Sequence, residues 1–122
     1  KRYAAARPRR NKVVTMIRHC VFIRFRPEVG KAERQALFAE IAALKALVPG
    51  FLAAHIAPNS SPETGMDKGY SDGFIVDFAD ASARDAYLQD AEHRKTGAKL
   101  VAAARSGVEG ILVYDLEIPD HT

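Results

Sequence analysis

Ile17-Arg18-His19-Cys20-Val21-Phe22-Ile23-Arg24-Phe25-Arg26 alternates along its length. Ile17, His19, Val21, Ile23 and Phe25 fall on one side, and Arg18, Cys20, Phe22, Arg24 and Arg26 on the other. A period of two means a strand with one apolar face and one mixed face. A lone imidazole, His19, therefore stands on the face that must be buried. Pro27-Glu28-Val29-Gly30 breaks the strand.

The next segment changes period. Leu37, Ile41, Leu44 and Val48 recur at helical spacing, with Phe38 and Leu47 widening the stripe, and predict a helix over 31–48. Alanines fill much of the rest and Pro49-Gly50 ends it. Phe51 to Ala57 reads as a second strand, and Pro58 to Gly69 as a polar loop. Gly73 to Phe78 reads as a third strand with Phe74, Val76 and Phe78 on one face. Asp80 or Ser82 can cap a helix that runs in two pieces, about 82–89 and 91–105, and ends near Gly107. Gly110 to Ile118 reads as a fourth strand, stopped by Pro119.

The order β-α-β-β-α-β is the ferredoxin-like split βαβ arrangement, an α+β fold with helices on one face of a four-stranded antiparallel sheet. The other face stays open, and Cys20, Phe22 and Ile75 fall on it. An open sheet bearing large apolar groups needs a partner. Two such sheets paired face to face across a two-fold axis make a dimeric α+β barrel, so a homodimer is expected.

The bulk numbers fit one domain. With 122 residues, 48% hydrophobic and 27% charged, the chain has the composition of a soluble globular protein. No apolar run approaches the roughly 20 residues of a membrane span. A lone cysteine, Cys20, cannot form an internal disulfide, so a reducing, cytoplasmic setting is expected. The net charge of +3 misleads, because six of the 18 basic residues lie in residues 1–12, which hold no acid. The remaining body is acidic, which is not the footprint of a nucleic-acid-binding domain. We expect a solvated basic extension over 1–15, preceding a start at Met16, then a domain over 16–119 and a short tail over 120–122. No nucleic-acid or membrane partner is expected.

These pieces together resemble the stress-responsive A/B-barrel (Dabb) family of the dimeric α+β barrel superfamily. The resemblance rests on the opening strand, the Pro49-Gly50 helix end, Gly69-Tyr70 followed by Phe74-Ile75-Val76-Asp77-Phe78, and Tyr87 with His93 as a Tyr-x5-His signature. It covers about Met16 to Ile118. The family includes plant polyketide cyclases of the olivetolic acid cyclase type. For such an enzyme the resemblance implies aldol ring closure of a poly-β-ketone without cofactor or metal, promoted by the signature Tyr and His, here Tyr87 and His93. It also implies a pocket between sheet and helices, lined by a first-strand histidine that His19 matches. Candidate walls are Val21 and Ile23, Leu37, Phe38 and Ile41, then Asp72, Phe74 and Val76. Asp72 stands where the cyclase carries a histidine, and Leu37-Phe38 where it carries an aromatic pair.

The chemistry follows from the residue types. His93 as general base takes a proton from carbon next to a carbonyl, and a hydrophobic site keeps the imidazole neutral. Tyr87 holds or protonates the carbonyl oxygen as an enolate develops. His19 orients the second imidazole or binds substrate oxygen. The plainer alternative makes His93 a brace of the helix break and Tyr87 a core aromatic whose hydroxyl finds a carbonyl. His19, His93 and Asp72 could converge on a divalent cation, but no local ligand spacing assigns one, and no metal or cofactor is expected. Cys20 lies on the face opposite His19, against a Cys-His dyad. His55 and His121 have no evident partner and read as surface residues. Gly65, Gly69 and Gly73 are turn glycines, and the absence of Trp disfavours the haem-degrading relatives of the superfamily. Two functions compete. One is a small-molecule pocket protein doing acid/base chemistry on a polyketide-like carbonyl compound, a cyclase, lyase or isomerase. The other is a non-catalytic structural stress protein. A monooxygenase-like relative acting on aromatic polyketides is a third reading.

Overall fold

The alternating first strand lies in the middle of the sheet. The computed structural model describes residues 14–120. Along the chain it places β1 (Val14–Ile23), α1 (Lys31–Ala43), β2 (Phe51–Pro58), β3 (Asp72–Phe78), α2 (Ala81–Gln89), α3 (Ala91–Ala103) and β4 (Ile111–Asp120). The strands form one antiparallel sheet in the order β2-β3-β1-β4. This is the ferredoxin-like arrangement read from the sequence. Most of the residues assigned to a basic extension, and His121, lie outside the described residues.

Register decides what meets across the sheet. His19 on β1 stands opposite Val76 on β3 and Asp115 on β4. Ile17, Val21 and Ile23 share its face and enter the core with Leu37, Phe38 and Ile41 of α1, Phe51, Phe74, Val76 and Phe78 of the sheet, and Leu100 of α3. Ile23, Ile41, Val76 and Phe78 are fully buried, and each such side chain contributes roughly 1.5–3 kcal/mol. Phe25, Phe38 and Phe74 pack edge to face at 5.7 and 5.8 Å.

Several boundaries differ from expectation, each for a local reason. The first helix ends at Ala43 and tightens into a 3-10 turn at Leu44–Ala46, a common way for a helix to close before a break such as Pro49-Gly50. Helix α3 stops at Ala103 because Ala104 turns extended and bridges Phe25. Pro119 does not stop β4. It pairs with Thr15 and the strand continues to Asp120, which an edge strand allows because one side of its backbone needs no ladder bond. The same pairing starts β1 at Val14, before the expected domain boundary at Met16.

The sheet's other face carries Cys20, Phe22 and Ile75, in ladder rows with Tyr114 and Leu112. Among the described residues no helix covers it, and Leu112, Tyr114 and Leu116 are exposed. Among the described residues no helix is long and apolar enough to cross a membrane.

Candidate functional site

The break between α2 and α3 makes the site. On one continuous helix, residues 87 and 93 would lie about 120° apart around the axis. Asp90 interrupts it with extended backbone, ending α2 and starting α3. Its carboxylate accepts from the backbone N–H of Glu92 at 2.8 Å and of His93 at 3.1 Å, so it caps α3. The bend stacks the Tyr87 and His93 rings with centroids 4.1 Å apart. Phe51 and Phe78 flank Tyr87 at 5.8 and 4.9 Å.

His19 completes the group. Its ring stands edge-on to Tyr87 at 5.8 Å. Its Nδ1 lies 2.7 Å from Asp115 Oδ1, and the other oxygen of Asp115 accepts from Arg84 Nη1 at 3.0 Å. Sequence reasoning missed Asp115 and Arg84. The alternation of β4 could have put Asp115 on the His19 face, but only the register brings it opposite.

The environments of the two signature residues push them in opposite directions. Burial alone raises the Tyr87 phenol well above its ordinary range, so it stays a hydrogen-bond donor. Burial, and then the neighbouring His19, lower His93 below its ordinary value of 6.5, against a smaller upward pull from Asp90 and the Leu88 backbone. One group is held protonated and the other unprotonated at neutral pH, the division of labour an acid/base pair needs. Tyr87 Oη and His93 Nδ1 are both buried and have no hydrogen-bond partner among the described residues. Of the plainer alternative, the core placement of Tyr87 is present, packed against Phe51 and Phe78, and two parts are not. The helix break is capped by Asp90, and the Tyr87 hydroxyl meets no carbonyl.

The remaining candidates are placed as follows. Val21, Ile23, Leu37, Phe38, Ile41, Phe74 and Val76 are buried in the core between the sheet and the helices. Asp72 does not converge with His19 and His93. It stands opposite Ile23, at the far end of β1 from the site, and pairs with Arg34 of α1 at 2.9 Å. Among the described residues no cluster of three or more His, Cys, Asp or Glu is arranged for a metal. His55, read as a surface residue without a partner, does have one. Its Nε2 lies 2.9 Å from Asp77 on the open face, and Arg18 holds the same carboxylate at 2.8 Å. A concavity of about 490 Å³ also lies on that face, floored by Phe22, Ile75 and Leu112 and walled by the loop from Pro58 to Ser71. A second, of about 300 Å³, lies between α1 and α3. Neither reaches Tyr87, His93 or His19.

Residues 17–118 match the family model described as the stress responsive A/B barrel domain, Dabb. The chain belongs to this family. Among solved structures, a dimeric ferredoxin-like protein of unknown function from Jannaschia sp. CCS1 is 33% identical. Its TM-score is 0.78, with 84% of this chain and 99% of that one covered. A Dabb family protein from Mesorhizobium loti is 21% identical with a TM-score of 0.64, covering 84% and 95%. The hydroxynitrile lyase of Passiflora edulis is 15% identical with a TM-score of 0.74, covering 89% and 97%, a likeness of fold. No curated protein sequence matches this Dabb chain.

Proposed function

We propose that Tyr87, His93 and His19 form a small-molecule site for cofactor-independent acid/base chemistry on a carbonyl compound of polyketide type. The observation that carries this reading is that two of the three buried, unpartnered polar atoms among the described residues, Tyr87 Oη and His93 Nδ1 (the third is Arg24 Nε), belong to rings 4.1 Å apart. Each costs about 1–3 kcal/mol of stability when left unpaired, and a buried group without a partner calls for a reason. A substrate supplies it. Nδ1 of neutral His93 takes the proton from the carbon beside the carbonyl. The electron pair of that C–H bond forms the carbon–carbon double bond of the enolate, the π pair of the carbonyl moves onto its oxygen, and the Tyr87 hydroxyl donates a hydrogen bond to that oxygen as its charge grows.

The reaction class can be tested without the natural substrate. A small ketone such as cyclopentanone, incubated with the protein in D2O, should exchange its α-protons faster than in buffer. His93→Ala should lower the enzymatic rate by about 10²-fold or more. Equal exchange with wild type and His93→Ala would refute the assignment of the base.

A second reading has its own support. Phe38, Ile41, Phe74 and Val76 fill the space between sheet and α1, as a structural stress protein requires. That reading expects no exchange with any ketone. Both readings share a homodimer, which relatives described as dimeric support, and the open sheet face is its proposed interface. Its single thiol, buried on that face, suits work in the cytoplasm.

A further inference from the structure

We propose that Arg84 is a positioning residue for this site: by clamping Asp115, it fixes the orientation and tautomer of His19. The inference rests on the acid/base reading of Tyr87, His93 and His19, and adds to it a residue outside the Tyr-x5-His signature.

Asp115 sits on the edge strand β4, and its carboxylate is about a quarter exposed. Left alone, such a group turns freely and is satisfied by water. His19 has no such freedom, with a side chain only 5% exposed and Nδ1 directed at Asp115. The imidazole is therefore only as fixed as the carboxylate it leans on. Arg84 supplies the missing constraint. Its Nη1 donates to Asp115 Oδ2 at 3.0 Å, leaving Oδ1 for His19 at 2.7 Å. Each donor takes one oxygen, which sets the plane of the carboxylate.

The helix places Arg84 for this. Asp80 caps α2 by accepting from the N–H of Ala83 at 2.8 Å, and this fixes the turn that carries Arg84. A cation near a helix N-terminus opposes the helix dipole. Two carboxylates compensate, because Arg84 Nε also donates to Asp85 Oδ1 at 2.9 Å. With Arg84 donating to Oδ2, Oδ1 is left as the acceptor that faces the His19 ring. Facing that acceptor at 2.7 Å, Nδ1 is the nitrogen that carries the ring hydrogen, and Nε2 is the bare one. The titratable groups around this ring are Asp115 from β4, Tyr87 and Arg84 from α2, and His93 from α3.

Imidazole nitrogen spectra of the 15N-labelled full chain report the tautomer directly and need no substrate. Wild-type His19 should show one tautomer, with Nδ1 protonated and Nε2 bare. Arg84→Ala should lose that single signature and give an averaged one, and Arg84→Lys should restore most of it. Asp115→Asn, whose amide can donate to Nδ1, should move the hydrogen to Nε2, and carries the test if Arg84→Ala does not fold. If Arg84 only ties α2 to β4, Arg84→Ala would lower thermal stability and leave the tautomer unchanged. That outcome, or a wild-type hydrogen on Nε2, overturns the proposal. Absence of ketone exchange alongside a tautomer that responds to Arg84 would remove the proposed reaction and leave the clamp standing.

Discussion

Tyr87 is fully buried, yet its hydroxyl has no partner among the described residues. If the hydroxyl serves ligand chemistry, removing it should not harm the fold. Tyr87→Phe is expected to gain about 1 kcal/mol in chemical denaturation while losing ketone exchange. His93 gives a second expectation. Its folded-state midpoint is below 6.5, so between the two midpoints the unfolded chain binds a proton that the folded chain refuses. Stability is therefore full above pH 6.5 and falls as pH drops towards the folded midpoint. His93→Ala should flatten that segment of a stability–pH curve. The three ring residues were legible in the sequence, His19 from alternation and Tyr87 with His93 from the signature. Asp115 and Arg84 were not, because the contact of His19 with Asp115 spans 96 positions and exists only through the β1–β4 register.

At the level of elements, the helix break is the device that assembles the site. Asp90→Ala removes both cap bonds and should cost about 1 kcal/mol. It should also weaken ketone exchange, since the same bend holds Tyr87 against His93. A thermal melt and the exchange assay on one sample check both. Gly50 is the other fixed point. Its φ is +86°, and a Cβ there would come within 2.6 Å of Ala83 Cβ on α2, so Gly50→Ala should destabilise the protein clearly by thermal melt. Pro49-Gly50 and the break at Asp90 could be read from the chain because stop signals are local. The run of β4 through Pro119 could not, since a proline's effect depends on whether the strand is at an edge, which is a property of the sheet.

For the whole molecule, the open face is the unresolved surface. It carries exposed Leu112, Tyr114 and Leu116 beside the ion-paired Arg18, Asp77 and His55. Phe22→Glu puts a charge on that face without touching the helix side and should convert dimers to monomers in light scattering. Dimers that survive it would move the interface elsewhere. Burial would raise the Asp77 carboxyl, but its bonds to Arg18 and His55 outweigh burial and hold it below its ordinary 3.8. Its contribution to stability is therefore present above pH 3.8 and lost as pH falls through its folded midpoint, a window separate from that of His93. The α+β class, the strand order and the open face were legible because period and element order are written along the chain. The ion-paired cluster was not, because Asp77 meets Arg18 and His55 only across strands.

The central claim is that His93 is a neutral base held beside a protonated phenol. The most direct measurement is an NMR titration of the His93 ring in the wild-type chain. The expected result is an uncharged imidazole at pH 7, with a midpoint below 6.5. An imidazolium at pH 7 would contradict it, because the site would then have no base.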